Sequence, residues 1–143
     1  TVMGGVSHGT LRREVVAGRP ALRLTGAVRL ENNGGFVQMA LDLAPDGGPV
    51  DASSQSGIEI EVRGNGEVYG LHLRTSDVER PWQSYRASFV APPDWTTVTL
   101  PFACFQPHRI AAPLDARRLR RVGLVAIGRA FEADLALAAI RFV

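Results

Sequence analysis

Residues 57–75 read GIEIEVRGNGEVYGLHLRT, two alternating runs separated by an Asn-Gly pair. Ile58, Ile60 and Val62, then Tyr69, Leu71 and Leu73, fall on one face of a period-two pattern. Glu59, Glu61, Arg63, His72 and Arg74 fall on the other. Asn-Gly between alternating apolar runs is a strong short-range hairpin signal, because a type I′ turn needs positive φ at both central residues. The pattern therefore predicts a β-hairpin turning on Asn65-Gly66. Val62 would face Tyr69, Ile60 would face Leu71 and Ile58 would face Leu73. Such a hairpin has one core face and one charged face.

The same alternation recurs outward from this stretch. Leu22, Leu24, Val28 and Leu30 share a phase, as do Val37, Met39, Leu41 and Leu43. Tyr85, Ala87 and Phe89 form another run, followed by Val98, Leu100 and Phe102. Residues 122–127 are apolar throughout, apart from Gly123, as expected of a strand buried on both faces. Residues 135–143 change phase near Ala138-Ala139, the mark of a bulge. Clusters of Gly, Pro, Asn and Asp at 31–35, 45–49 and 91–94 punctuate these runs. Only 114–121 reads as helical, for a turn or two. Many short strands with almost no helix predict an all-β sandwich or barrel, a single soluble domain over 1–143.

The chain has 143 residues, 45% of them hydrophobic and 21% charged, and carries a net charge of +2. That length supports a core without a metal or disulfide. All 16 basic residues are arginine, which suits a GC-rich bacterial genome or forks for carboxylate and phosphate. So small a net charge does not imply nucleic acid. The lone Cys104 cannot form an internal disulfide, sits in an apolar run and is expected to be buried. The start of the chain lacks a basic segment and a long apolar stretch, so neither a signal peptide nor a membrane span is expected. A cytoplasmic location follows as the expectation. A chain opening on Thr1 is also compatible with a removed upstream piece.

His8, His72 and His108 lack metal-ligand spacing, and no metal or cofactor is expected. No nucleophile motif or phosphate loop occurs, which argues against an enzyme. Two surfaces remain. Glu59, Glu61, Arg63, His72 and Arg74 form the charged hairpin face. With Trp82 or Trp95 stacking on a sugar ring, that face is a candidate carbohydrate site. Its plainer reading is a solvated face of cross-strand ion pairs. Arg117, Arg118, Arg120 and Arg121 form the one dense basic run, a solvated face or a candidate dock for an acidic partner.

Taken together, these stretches resemble the complex I intermediate-associated protein family. The resemblance is carried by Met3-Gly4-Gly5 with Ser7 and by Asn33-Gly34-Gly35-Phe36. It continues through Gly57-Ile58, the Arg63-Gly64-Asn65-Gly66 run and Tyr69, and then Tyr85 to Phe89, Trp95, Leu100-Pro101-Phe102 and Phe105-Gln106-Pro107. An acidic residue is commoner in the family where Asn65 stands. The resemblance implies a galactose-binding-like jelly roll and a non-catalytic, chaperone-like assembly role through protein contacts, among them respiratory complex subunits. Carbohydrate binding, common in jelly rolls of this kind, is the alternative.

Overall fold

The computed structural model describes residues 7–30 and 35–143. Ten strands run in chain order: β1 Ser7–Val16, β2 Arg19–Val28, β3 Phe36–Asp42, β4 Gly57–Arg63, β5 Val68–Thr75, β6 Ser84–Val90, β7 Thr96–Pro101, β8 Gln106–His108, β9 Leu119–Ile127 and β10 Phe131–Phe142. They form two antiparallel five-stranded sheets, β1-β2-β10-β4-β7 and β3-β9-β5-β6-β8. The inner faces pack on one another, and Ile58, Ile60, Val62, Leu71, Leu73, Leu119, Leu124 and Leu135 are each at most 1% exposed. Fully burying an aliphatic side chain of this size stabilises by roughly 1.5–3 kcal/mol, so this layer dominates the fold energetics.

The core face read from residues 57–75 is present, but the hairpin is not. β4 pairs with β10 and β7, while β5 pairs with β6 and β9. The two strands belong to opposite sheets, and their apolar faces lie on the same core across the sandwich instead of side by side. The backbone gives the reason. Gly66 has φ +81°, but Asn65 is not among the positive-φ residues, so the type I′ geometry is absent. The crossover is held instead by the β6–β7 connection. The Gly64 N–H donates to Pro92 O and the Gly66 N–H to Ala91 O, both at 2.8 Å, and the Ala91 N–H returns to Glu67 O at 3.1 Å.

Asn65 and Tyr69 complete that joint. The Tyr69 hydroxyl donates to Asn65 Oδ1 at 2.7 Å and accepts from the Asp134 N–H at 3.0 Å. Asn65 Nδ2 donates to Glu132 O at 2.8 Å. The Gly64, Gly66 and Tyr69 motif therefore ties the crossover to β10. Phe36 is buried, and the Gly35 N–H donates to Arg29 O at 2.6 Å. Met3, Gly4, Gly5, Asn33 and Gly34 lie outside the described residues, and Ser7 begins β1.

A genuine two-residue hairpin joins β1 to β2 at Ala17-Gly18, with φ of 45° and 83° and Val16 paired to Arg19. Alanine is a poor occupant of that conformation. Ala17→Asn is expected to raise stability by about 0.5–1 kcal/mol in denaturant unfolding. A loss of stability would contradict the I′ assignment.

Other expectations divide. The bulge appears as a register shift between Leu137 and Ala139. Of the stretch 122–127, residues 122–126 are buried as expected, while Ile127 at the end of β9 is exposed. The helical expectation over 114–121 reduces to a single 3-10 turn, Ala116–Arg118, because Leu119 already pairs within the second sheet. Cys104 is exposed, not buried, since the 3-10 turn Phe102–Cys104 carries it out of the sandwich.

Candidate functional site

Because β4 and β5 belong to different sheets, the expected charged face divides between opposite sides of the molecule. Glu59, Glu61 and Arg63 lie on the outer face of the first sheet, and His72 and Arg74 on that of the second. The two faces differ in how their charge is satisfied.

On the first sheet, Arg19, Arg23 and Arg141 are paired with carboxylates. Arg141 Nε donates to Glu59 Oε1 at 2.7 Å and its Nη2 to Glu61 Oε2 at 2.6 Å. Arg19 Nη1 lies 2.7 Å from Glu61 Oε1. Arg23 forks onto Asp134 at 2.9 and 2.8 Å and reaches Glu14 at 3.1 Å. Hydrogen bonds from Arg141 and then Arg19 hold the Glu61 carboxyl below its ordinary range. Trp95 belongs to this side. Its Nε1–H donates to Val16 O at 3.2 Å, and the Arg19 guanidinium sits 5.0 Å from the ring centre. This face matches the plainer expectation of cross-strand ion pairs.

The second sheet has a recess of about 250 Å³, lined by Gln38, Ala40, His72, Arg74, Pro81, Gln83, Ser84, Arg121, Val122 and Gly123. Strand register creates it. Across the sheet run Ala40, Gly123, His72 and Arg86, each opposite the next. The small Ala40 and Gly123 leave a hollow floor, bounded by the longer Gln38, Arg121, His72 and Arg74. The His72 ring lies along the sheet over Gly70. Among the described residues, no carboxylate lines the recess.

The charged groups around it are mostly arginines, with Asp42 at the β3 side. Arg74 faces Arg121 across the β5–β9 ladder, and Asp42 faces Arg121 from β3 with its Oδ1 3.0 Å from Arg121 Nε. That contact is an ion pair without hydrogen-bond alignment. Arg86 Nε donates to Ser84 Oγ at 2.9 Å. Burial, then Arg86 and His108, push the His72 pKa down to about 3, so its imidazole is neutral at pH 7. Burial and the neighbouring arginines also lower His108, Arg74 and Arg86.

The His72 shift sets a direction for stability. Its folded pKa lies below the ordinary 6.5, so between about pH 6.5 and 3 the unfolded chain binds the extra proton. Stability contributed by neutral His72 is present above that window and is lost as pH falls through it. His72→Gln is expected to flatten the acid limb of a stability–pH curve by up to about 1 kcal/mol per pH unit. An unchanged slope would show that His72 titrates normally in the native state.

Beside the recess, the loop 76–83 presents Trp82, which is 55% exposed. Gln83 braces this loop. Its Oε1 accepts from the Glu79 and Arg80 N–H groups at 2.9 and 3.0 Å, and its Nε2 donates to Arg109 O at 3.1 Å. Arg74 Nη2 also donates to Arg80 O, at 3.2 Å.

The basic run does not form one patch. Arg117 and Arg118 pair with Asp115, and Arg118 also reaches Asp77. Arg120 clasps Gly47 O. Only Arg121 enters the recess. Gln38, Gln83, Ser84 and Arg86 carry no motif that marks them in the sequence, although alternation alone sets Gln38 and Arg86 opposite core residues.

A wider groove of about 570 Å³ runs along Val15, Leu22, Leu41, Leu137 and Ile140; its lining is mostly apolar, with Arg13 and Glu14 as its charged members. Among the described residues, no group of three or more His, Cys, Asp or Glu side chains is placed to hold a metal ion. Among the same residues, no helix is long and apolar enough to cross a membrane.

The model of the family described as complex I intermediate-associated protein 30 matches residues 1–137. No curated protein matches the chain. Among solved structures, it is similar to the family 11 carbohydrate-binding module of the Clostridium thermocellum cellulase Lic26A-Cel5E. The TM-score is 0.80 at 12% identity, covering 98% of this chain and 84% of that one. The same module in complex with a β-1,3-1,4-mixed-linked tetrasaccharide gives 0.77 at 12% identity, over 98% and 85%. A family 30 carbohydrate-binding module gives 0.70 at 17% identity, over 100% and 95%. At such identities the likeness establishes the fold, and the expected galactose-binding-like jelly-roll sandwich is borne out.

Proposed function

The chain belongs to the complex I intermediate-associated protein 30 family, and we propose that residues 1–143 act as one non-catalytic binding module whose ligand seat is the recess of the second sheet. The carrying observation is the convergence of Gln38, His72, Arg74, Gln83, Ser84 and Arg121 around a floor of Ala40 and Gly123. Small-molecule sites are concave and carry a few convergent polar groups. At about 250 Å³ the recess is near the size of a single sugar ring. Trp82, on the loop that also supplies Pro81 and Gln83, offers a flat apolar face to an adjoining ring. The mixed-linked tetrasaccharide bound by a similarly folded module supports carbohydrate as the ligand class. A non-catalytic role is supported by the lining, which among the described residues has no carboxylate and whose Ser84 hydroxyl already accepts from Arg86.

Titration with a panel of oligosaccharides, followed by backbone NMR, is expected to shift the amides of His72, Gln83 and Gly123. Trp82→Ala is expected to weaken that binding at least tenfold without changing the unfolding midpoint, since its side chain is mostly in solvent. Shifts confined to the first sheet, or full affinity in the Trp82 variant, would overturn this seat.

Family membership supports a second reading, assembly of respiratory complex I through a protein partner. Capture of complex I subunits by the wild-type chain and not by Arg74→Glu would favour it. Capture indifferent to that change would place the contact elsewhere. The lone exposed Cys104 supports a reducing, cytoplasmic setting for either reading.

A further inference from the structure

We propose that a second copy of this chain docks along the open edge of β1, antiparallel and about a two-fold axis at Arg13. Leu11 then meets Val15 of the second copy, and Arg12 meets Glu14 of the second copy.

β1 ends the first sheet, with β2 as its one neighbour. A sheet edge presents a row of unpaired N–H and C=O groups, and proteins usually blunt it with shortness, proline or charge. Of the four edges, β1 is the longest, ten residues without a proline. β8 has three residues with Pro107 among them, and β7 ends on Pro101. Leu11 is 46% exposed and Val15 69%, whereas among the described residues no large apolar side chain on β3, β7 or β8 is exposed.

The register fixes which backbone groups face outward. A two-residue turn at Ala17-Gly18 joins β1 to β2, with Val16 opposite Arg19. Such a hairpin closes on a hydrogen-bonded pair, and bonded and non-bonded pairs then alternate along the ladder. Val16, Glu14 and Arg12 therefore bond to β2, while the N–H and C=O of Val15, Arg13 and Leu11 turn to the open edge. Pro20, which has no N–H to give, stands opposite Val15 and so occupies a non-bonded pair. Leu11, Arg13 and Val15 also share the core-ward face, opposite Leu24, Leu22 and Pro20.

The side chains along this edge are self-complementary. A two-fold axis through Arg13, perpendicular to the sheet, keeps like faces together and lets Leu11, Arg13 and Val15 exchange their hydrogen bonds. It sets Leu11 against Val15 on the core-ward face and Arg12 against Glu14 on the outer face, each pair occurring twice. Moving the axis by one residue opposes Arg12 to itself or Glu14 to itself, and places Arg13 against Leu11 or Val15. Among the described residues, Glu14 meets Arg23 through Oε1, which leaves Oε2 for a second arginine. Val15 also lines the wider apolar groove, so Leu11 of the second copy adds cover at its rim. Arg13 against its own copy is the one adverse pair, and it keeps the contact reversible. The recess of the second sheet lies outside this seam, and the two-fold axis turns both recesses to the same side.

Sedimentation velocity of the chain from about 10 µM to about 1 mM, the range of a weak contact, is expected to show the monomer mass give way to twice that mass. Amide exchange at Leu11, Arg13 and Val15 is expected to slow over the same range. Arg12→Glu is expected to weaken association about tenfold, because both charged pairs become like-charged. Arg12→Glu combined with Glu14→Arg is expected to restore it, which separates a lost charge pair from a lost fold. Arg13→Thr is expected to strengthen association about threefold by removing the adverse pair.

A monomer throughout this range would overturn the proposal and leave Arg12, Arg13 and Glu14 as charges that blunt the edge. A dimer indifferent to Arg12→Glu, or one that the double exchange fails to restore, would overturn this seam. Assembly beyond a dimer would overturn the closed two-fold pairing.

Discussion

Gly64→Ala is expected to lower the stability of the folded chain by roughly 2–4 kcal/mol, the range of a forced overpacking in a tightly built joint. A Cβ at Gly64 would come within 2.5 Å of Ala91 Cβ, 2.9 Å of Ala91 O and 3.2 Å of Asp134 O. None of these is the end of a flexible side chain. Two are backbone oxygens, and the third is fixed rigidly to the backbone of a residue that is 0% exposed. Relief therefore requires the crossover to move off both the β6–β7 connection and β10, breaking the Gly64 and Gly66 hydrogen bonds to Pro92 and Ala91. Gly66→Ala is the informative control. Gly66 has φ +81° but nothing within 4 Å of a Cβ, so its cost is backbone strain alone, about 1 kcal/mol. In urea unfolding the Gly64 variant is expected to move the midpoint well beyond the Gly66 variant at an unchanged m-value. If Gly66→Ala cost as much or more, the joint would be governed by turn conformation and not by close approach.

That comparison also shows what could be read from the residues and what could not. Alternation identified the inward side chains of β4 and β5 correctly, because burial on one face leaves a period-two trace whichever strand lies alongside. It could not identify the neighbour, since hydrogen-bonding partners leave no comparable trace. A local rule, Asn-Gly as a hairpin turn, filled the gap and failed. The residues that override it are Ala91, Pro92, Glu132 and Asp134, all distant in sequence. The true hairpin is silent in the sequence for the converse reason: Ala17-Gly18 adopts positive φ with a residue that does not advertise it. The first of these carries over into the candidate site. Glu59, Glu61 and Arg63 share a face with His72 and Arg74 only if β4 and β5 are neighbours, and they are not. The recess depends on Ala40 and Gly123 meeting beside His72, a coincidence of three strands that becomes legible only once their register is known.

Tyr69→Phe is expected to cost about 1–3 kcal/mol, although it removes a single oxygen. The hydroxyl is both donor to Asn65 Oδ1 and acceptor from the Asp134 N–H, and its loss leaves each partner short of a bond in a half-buried joint. The aromatic packing on Phe89 and Phe131, with ring centres 6.2 and 5.8 Å away, survives the change and isolates the polar contribution. Asn65→Gly then discriminates between two accounts of the same motif. In a type I′ hairpin, glycine at that position is well tolerated, and stability would hold or rise. In the observed crossover, the substitution removes the donor to Glu132 O and the acceptor of the Tyr69 hydroxyl, so a loss of about 1–2 kcal/mol is expected. The double variant should lose less than the sum of the two, with a coupling of at least about 0.5 kcal/mol, because both act on one hydrogen-bonded unit. Strict additivity would mean that Asn65 and Tyr69 stabilise the crossover independently. The short contact between them would then not be what holds the two sheets in their relative position.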